Sequence, residues 1–98
     1  MSKELNIGII GAGRISKVHT PLLAQRIPHV NVLWLCDLNA SLAQELAGPL
    51  GLHVTTDYHK ILADKKIDAV FVLSSTDSHV PIILDAVKAG KHIFCEKP

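Results

Sequence analysis

Short, nearly continuous runs of apolar residues alternate along the chain with segments of helical spacing. The apolar runs are rich in Val, Ile and Leu and comprise Leu5 to Ile10, Val30 to Cys36, Ala69 to Leu73 and Ile93 to Cys95. Continuous rather than alternating apolarity is typical of strands that are covered on both faces, as in parallel sheets. Val54-Thr55-Thr56 is a weaker candidate for a fifth strand.

The intervening segments predict four helices. Helical spacing of apolar residues indicates the first, with Ile15, Val18, Leu22 and Leu23 on one side. Pro21 should kink or restart that helix. Asn39 is a candidate N-cap for the second helix, and Asp57 for a short third. Pro81 stands where the first turn of a fourth helix tolerates proline, and Gly90 closes that helix as a left-handed C-cap.

Strand and helix therefore alternate four times before a last strand. With right-handed crossovers, this order predicts an α/β fold with a doubly wound parallel sheet, the Rossmann dinucleotide-binding fold, in three α/β/α layers. We expect the second half of that fold to be incomplete. We expect residues 1–98 to form one dinucleotide-binding domain.

Composition excludes several classes of protein. The 98 residues are 48% apolar and 19% charged, with a formal net charge of +1 and no cluster of basic residues. This is ordinary for a globular domain and predicts no nucleic-acid partner. The apolar run near the N-terminus is too short for a signal peptide or a membrane span, so we expect a cytoplasmic protein with no membrane partner.

The two cysteines and six histidines match no metal-ligand spacing. Cys36 and Cys95 both fall in strand-like apolar runs, which favours buried reduced thiols over a disulfide or a nucleophile. We therefore expect no metal site.

A glycine-rich turn follows the first strand. Gly11 would permit the tight turn, and Gly13 would let main-chain N–H groups approach a pyrophosphate at the N-terminus of the first helix. Ala12 lies between them, and the third position of the usual fingerprint is Ser16 rather than glycine. The strand before and the helix after favour dinucleotide binding over a merely structural turn.

Asp37 ends the second strand. A carboxylate at this point can accept hydrogen bonds from both ribose hydroxyls of adenosine, and it would repel a 2′-phosphate. The cofactor is therefore predicted to be NAD, with NADP disfavoured. The alternative is that Asp37 only starts the turn into the Asn39 helix, and the two roles are compatible.

Polar residues follow the fourth strand, from Ser74 and Ser75 to His79. Since they come at the carboxyl edge of the sheet, we expect them to face the cofactor crevice. Thr76 or Ser78 can instead cap the next helix, and His79 either contacts the cofactor or stabilises the loop.

Lys97, between Glu96 and Pro98 at the end of the last strand, is the candidate catalytic residue. A lysine is usually only solvated, but this one follows a strand on the side that the cofactor should occupy. An ammonium held there could donate to a substrate oxygen, or accept its proton if desolvation lowered the lysine pKa.

These motifs together resemble the Gfo/Idh/MocA family, named for glucose-fructose oxidoreductase, inositol dehydrogenase and a rhizopine-catabolism protein. The matching residues are Gly11 to Ile15, Asp37, the segment ending in His79, and Ala89 to Pro98 with its Gly-Lys-His and Glu-Lys-Pro. The resemblance implies cofactor contacts at Arg14 and Ile15 as well as at the glycine turn. It gives Lys97 a catalytic role and puts Glu96 beside the cofactor. Many members have Thr-Pro-Asn in the post-strand loop where this chain has Ser74-Ser75-Thr76.

The resemblance further implies an NAD-dependent dehydrogenase that acts on the CH–OH group of a sugar, inositol or related polyol. Members continue with an α+β substrate domain that is absent here, so we expect the 98-residue chain alone to be inactive. A homo-oligomer, formed through that domain or through an exposed sheet, is also expected. The alternatives are a non-catalytic NAD-binding sensor, and a Rossmann domain for another nucleotide such as S-adenosylmethionine.

Overall fold

A computed structural model describes residues 4–11, 14–25, 27–73 and 76–95 of the chain. It describes their side chains except at residues 14, 15, 18, 19, 76–79 and 95. The strands are β1 (Leu5–Ile10), β2 (Val30–Cys36), β3 (His53–Thr55), β4 (Ala69–Val72) and β5 (His92–Cys95). The helices are α1 (Arg14–Gln25), α2 (Ala40–Ala47), α3 (His59–Ala63) and α4 (Thr76–Lys88), with a 3₁₀ turn at Gly48–Leu50. None of the helices in these described ranges has the length and apolarity needed to cross a bilayer.

The strands form one parallel five-stranded sheet in the order β3-β2-β1-β4-β5. Two apolar clusters cover its faces. The first contains Leu23 of α1 and Ala43 of α2, and the second contains Ile61 of α3 and Ile82 of α4. The predicted doubly wound α/β fold in three layers is confirmed.

A bulge in β2 sets which of its residues faces each layer. Ile7 of β1 pairs with Val32 and the next residue, Gly8, pairs with Trp34, so Leu33 is an extra residue. Leu33 and Trp34 both pack against the second cluster, whereas Val32 belongs to the first. The bulge therefore reverses the alternation of faces along β2.

The helix boundaries around two prolines differ from those expected. Helix α1 is continuous from Arg14 to Gln25 with Pro21 inside it, so it does not restart there. Pro81 is not in the first turn of α4, because that helix begins earlier, at Thr76. Each proline removes one main-chain donor, but Leu23 and Ile82, which follow them, are buried in the two cores. Tertiary packing outweighs the local cost of the missing hydrogen bond.

The predicted caps are largely present. Asn39 Oδ1 accepts the N–H groups of Ser41 (3.0 Å) and Leu42 (3.2 Å), which confirms Asn39 as the N-cap of α2. Gly90 ends α4 with a φ of +77°, the left-handed conformation expected. The residue before α3 is Tyr58, yet Asp57 Oδ1 accepts the N–H of His59 at 3.0 Å and so satisfies a donor of its first turn.

Polar side chains join α3 to α4. Tyr58 Oη donates to Asp85 Oδ2, and the hydrogen bond raises the pKa of Tyr58 to about 12. The His59 ring lies between two carboxylates, with Nδ1 2.8 Å from Asp57 Oδ1 and Nε2 3.3 Å from Asp85 Oδ2. The hydrogen bond to Asp57 is the main cause that raises the pKa of His59. The hydrogen bonds from His59 and Tyr58 lower the pKa values of Asp57 and Asp85, respectively.

The far end of α3 is attached to the sheet through Asp64. Trp34 Nε1 donates to Asp64 Oδ2 at 2.9 Å, and the Trp34 ring lies 5.2 Å from that of His53. Lys91 Nζ donates to the carbonyl oxygens of Asp64 (2.9 Å) and Ile67 (2.7 Å). The first bond satisfies a carbonyl group where the short helix ends, and the second holds the segment that follows it.

Gly8 leaves the space into which α3 packs. A Cβ added at Gly8 would lie 2.4 Å from Ile61 Cγ2, and Ile61 is fully buried. We expect Gly8→Ala to lower the free energy of unfolding by about 1–3 kcal/mol through overpacking, as measured by chemical denaturation. Gly48→Ala is the control, because its nearest atom is 3.5 Å away. Adding Ile61→Leu, which removes the branch methyl, should restore part of the loss, and equal stability of both alanine variants would contradict this account.

The His59 contacts predict a pH-dependent stability. Because the folded pKa of His59 is raised above 6.5, its stabilisation is complete below that pH and is lost as pH rises through the folded pKa. Asp57 and Asp85 set the lower pH limit of this stabilisation, since their contribution is lost as pH falls from 3.8 through their lowered folded pKa. His59→Gln should therefore lower the melting temperature more at about pH 5 than at about pH 8.5. His92→Gln, at an exposed histidine outside the cluster, is the control, and an equal loss at both pH values would refute the prediction.

Candidate functional site

The carboxyl edge of the sheet holds the point where the chain changes faces. Strand β1 lies between β2 and β4. The helix after β1 packs on one face and the helix after β4 on the other. In open α/β sheets the crevice at such a switch point is where ligands bind.

Gly11 forms the first turn at this edge. It has a φ of +116°, a conformation that favours glycine, and its N–H donates to the Cys36 carbonyl at 2.6 Å. Helix α1 begins at Arg14. Ser16, in the third fingerprint position, is fully buried and its Oγ lies 2.8 Å from Thr20 Oγ1. A small side chain is therefore accommodated where this helix packs against the sheet.

Asp37 lies one residue beyond β2 and is held through its backbone and its side chain. Its N–H donates to the Thr55 carbonyl at 3.2 Å, and its Oδ1 accepts the N–H of Asn39 at 2.8 Å. Asp37 therefore starts the turn into α2, which was the simpler of its two interpretations. A role in binding ribose is compatible with this geometry and stays a prediction.

Main-chain hydrogen bonds continue across the edge beyond the strands. They run from Leu73 N–H to Ile10 O, from Gly11 N–H to Cys36 O, and from Asp37 N–H to Thr55 O. Each bond joins the segment after one strand to the end of its neighbour. The ends of β4, β1, β2 and β3 are thus fixed relative to one another.

The other predicted site residues lie outside what the structure describes. This holds for Ala12, Gly13, Ser74, Ser75, Glu96, Lys97 and Pro98, and for the side chains of Arg14, Ile15 and His79. What is described is the backbone that leads to them. In particular, β5 ends at Cys95 beside Val72 of β4, at the same carboxyl edge as Gly11 and Asp37.

Cys36 is a buried free thiol. Burial, together with the negative charges of Asp37 and Asp57, raises its pKa to about 12. The thiol therefore stays protonated at neutral pH and is a poor nucleophile. This confirms the predicted buried reduced state of Cys36. The side chain of Cys95 is among those not described.

Two residues at this edge were not assigned a role from sequence. Thr55 was predicted only as part of a weak strand, and it proves to be the acceptor for the Asp37 N–H. Leu38 is 91% exposed beside Asp37, although it is a large apolar residue. The only sequence signal for either was its proximity to a strand end.

A cavity of about 390 Å³ lies at the opposite, amino edge of the sheet. Residues at the starts of β1, β4 and β5 line it, including Glu4, Asp68 and Lys91. Its charges are mixed and it lies at the other edge of the sheet from Gly11, so the carboxyl edge remains the candidate site. Within the described ranges, no group of three His, Cys, Asp or Glu side chains is arranged to hold a metal ion.

Comparison with known proteins identifies the family of the chain. Residues 5–98 match the GFO_IDH_MocA profile, described as an oxidoreductase family with an NAD-binding Rossmann fold. An uncharacterised oxidoreductase of Bacillus subtilis, YrbE, is 43% identical over all of the chain and 29% of its own length. The inositol 2-dehydrogenase/D-chiro-inositol 3-dehydrogenase of Lactiplantibacillus plantarum is 36% identical over 94% of the chain and 27% of its own length.

A solved structure is similar over nearly the whole chain. Scyllo-inositol dehydrogenase from Lactobacillus casei, with bound NAD(H) and scyllo-inositol, superposes with a TM-score of 0.90 at 34% identity. The match covers 98% of this chain and 28% of the dehydrogenase. The chain thus spans less than a third of the length of these relatives. The glycine turn after β1, the acid after β2 and the match over residues 5–98 together establish that this chain belongs to the Gfo/Idh/MocA oxidoreductase family, of which it carries the NAD-binding Rossmann domain.

Proposed function

We propose that this chain binds the adenosine ribose of NAD through Asp37 and the pyrophosphate at the Gly11 turn and the start of α1. The protein would then move hydride between the nicotinamide and a sugar, an inositol or a related polyol. The inositol dehydrogenases among its relatives support this substrate class, and one of them was solved with both NAD(H) and scyllo-inositol.

The observation that carries the proposal is the contact between the Gly11 turn and the end of β2. The hydrogen bond from Gly11 N–H to Cys36 O, 2.6 Å long, brings the turn next to the residue before Asp37. The proposed donors to the pyrophosphate and the proposed acceptor for the ribose are therefore neighbours, as adenosine diphosphate requires. The Asp37 carboxylate would accept hydrogen bonds from the ribose hydroxyls and repel a 2′-phosphate, so NAD fits better than NADP.

Lys97 is the proposed catalytic residue. When NAD is bound, its nicotinamide ring supplies the hydride chemistry. The Lys97 ammonium would donate to the substrate oxygen, and the neutral amine would accept its proton. Glu96, Ser74, Ser75 and His79, all near strand ends in sequence, would line the cofactor beside it.

Three further expectations stay predictions. They are a cytoplasmic location, inactivity of the 98-residue chain alone, and a homo-oligomer. Exposed apolar side chains support self-association, namely Val80, Leu84 and Val87 on α4 and Phe94 on β5. Phe94 stacks on Phe71 with ring centroids 4.7 Å apart, yet it remains 49% exposed.

The role of Asp37 is tested by Asp37→Asn. The amide keeps an oxygen that can accept the Asn39 N–H but loses the charge that binds the ribose. We expect the affinity for NAD to fall roughly 10- to 100-fold, since hydrogen bonds to a charged group contribute about 1.5–3 kcal/mol. The affinity for NADP should fall much less, because the repulsion of its phosphate is also removed. Amide chemical shifts in an NMR titration measure both, even if binding is weak.

Glu45→Gln is the matched control for Asp37→Asn. It makes the same change of charge on α2 at an exposed acid, so its NAD affinity should equal that of the unaltered chain. If Asp37→Asn binds NAD as tightly as this control, the proposed cofactor site is wrong.

Lys97→Ala separates an enzyme from an NAD-binding sensor. In a protein that joins this domain to a substrate domain of the family, we expect polyol-dependent NADH formation to fall by about 10²–10⁴, the usual contribution of a general acid or base, while NAD affinity changes little. Lys88→Ala, at the exposed end of α4, should leave the rate unchanged. Full activity of Lys97→Ala would eliminate its catalytic role, and absence of any polyol oxidation by the unaltered protein would favour the sensor.

A further inference from the structure

Asp37 depends on a neighbouring strand for its position. Its N–H donates to the carbonyl of Thr55, 3.2 Å away, which is the last residue of β3. Strand β3 has only three residues, and among the described strands it pairs with β2 alone. The end of so short an edge strand frays readily unless a further interaction holds it.

The side chain of Thr55 supplies that interaction. Its Oγ1 accepts the N–H of Asp57 at 3.0 Å and donates to the carbonyl of the same residue at 3.3 Å. Thr55 is only 8% exposed, so water competes little for these groups. The hydroxyl thus holds the turn just after β3 and fixes the Thr55 carbonyl, which accepts the Asp37 N–H.

The far side of Asp37 is fixed independently. Its Oδ1 accepts the N–H of Asn39, whose side chain in turn caps α2. The turn after β2 is therefore held at Thr55 before the carboxylate and at Asn39 beyond it. Loss of either contact would change the direction of the carboxylate relative to the Gly11 turn.

We propose that Thr55 is a positioning residue for cofactor selection: through its hydroxyl it holds the end of β3 and thereby orients Asp37 toward the adenosine ribose. The inference rests on the proposed role of Asp37 in binding NAD. It assigns to Thr55 no contact with the cofactor itself. Its effect is on discrimination between NAD and NADP, because only NAD gains from a well-placed carboxylate.

A pair of substitutions separates the effect of the Thr55 hydroxyl from that of the side-chain shape. Thr55→Val keeps the β-branched shape and removes the hydroxyl, whereas Thr55→Ser keeps the hydroxyl and removes the methyl group. Should Thr55→Val fail to fold, Thr55→Ala compared with Thr55→Ser makes the same comparison, since these also differ by the hydroxyl.

The first measurement needs no ligand. In Thr55→Val, hydrogen exchange of the Asp37 amide should be roughly 3- to 10-fold faster than in Thr55→Ser, which is the equilibrium effect of losing one ordinary hydrogen bond. The Leu73 amide, bonded to Ile10 in the same row, is an internal control that should not change. Equal exchange of the Asp37 amide in both variants would overturn the positioning role.

The second measurement is the ratio of NAD to NADP affinity. Thr55→Val should weaken NAD binding by roughly 3- to 10-fold with a smaller effect on NADP, while Thr55→Ser retains the ratio of the unaltered protein. In an Asp37→Asn background Thr55→Val should have no further effect on the ratio. A purely structural role would lower the melting temperature of Thr55→Val without moving the ratio.

The outcomes separate the two proposals. If Asp37→Asn leaves NAD affinity unchanged, or no NAD binding is detected, the proposed cofactor role of Asp37 fails whatever Thr55 does. If Asp37→Asn lowers NAD affinity and Thr55→Val leaves the ratio unchanged, only the inference about Thr55 fails.

Discussion

The burial of β1 between β2 and β4 is the constraint on which the other features depend. The strand forms hydrogen bonds along both edges, and Ile7 and Ile9 are fully buried. Because both edges of β1 are paired with other strands, the register of β1 determines where β2 and β4 end. The positions of Gly11 and Asp37 at one edge of the sheet follow from that register. Gly11 comes directly after β1, and Asp37 comes directly after β2, which β1 aligns.

The same central strand allows two cores to form on its two faces. One core receives α1 and α2, and the other receives α3 and α4. Gly8 is what permits the second, because Ile61 packs where any other side chain would begin. The identity of a residue without a side chain thus determines how closely a helix approaches the sheet. Ligand-binding loops can then extend from a scaffold that is rigid on both faces.

Much of this fold could be predicted from sequence because burial on both faces leaves a local signal. The limits of β1 and β2 coincide with their apolar runs, and Asn39 and Gly90 act as caps because their chemistry suits those positions. The unbroken helix at Pro21 and the start of α4 well before Pro81 have a different origin. Each proline carries a local cost that sequence reveals, whereas the burial of neighbouring residues, which outweighs it, depends on the complete fold.

The candidate site was predictable where it follows from strand ends and turn chemistry, as at Gly11 and Asp37. The contacts of Thr55 could not be predicted, because a hydrogen bond across strands depends on the register of the strands. The bulge at Leu33 shifts that register and has no sequence signature. The cluster around His59 was missed for the same reason. Tyr58 and Asp85 are 27 residues apart, and no motif links them.

The hydrogen bond between Trp34 and Asp64 gives the molecule an intrinsic optical probe. The chain contains one tryptophan, so its fluorescence arises from a single indole on β2. The N–H of that indole is bound at the end of α3, and a histidine ring lies 5.2 Å from it. Separation of α3 from the sheet would expose the indole to water and shift its emission to longer wavelength. Docking of one short helix can therefore be followed spectroscopically without a label.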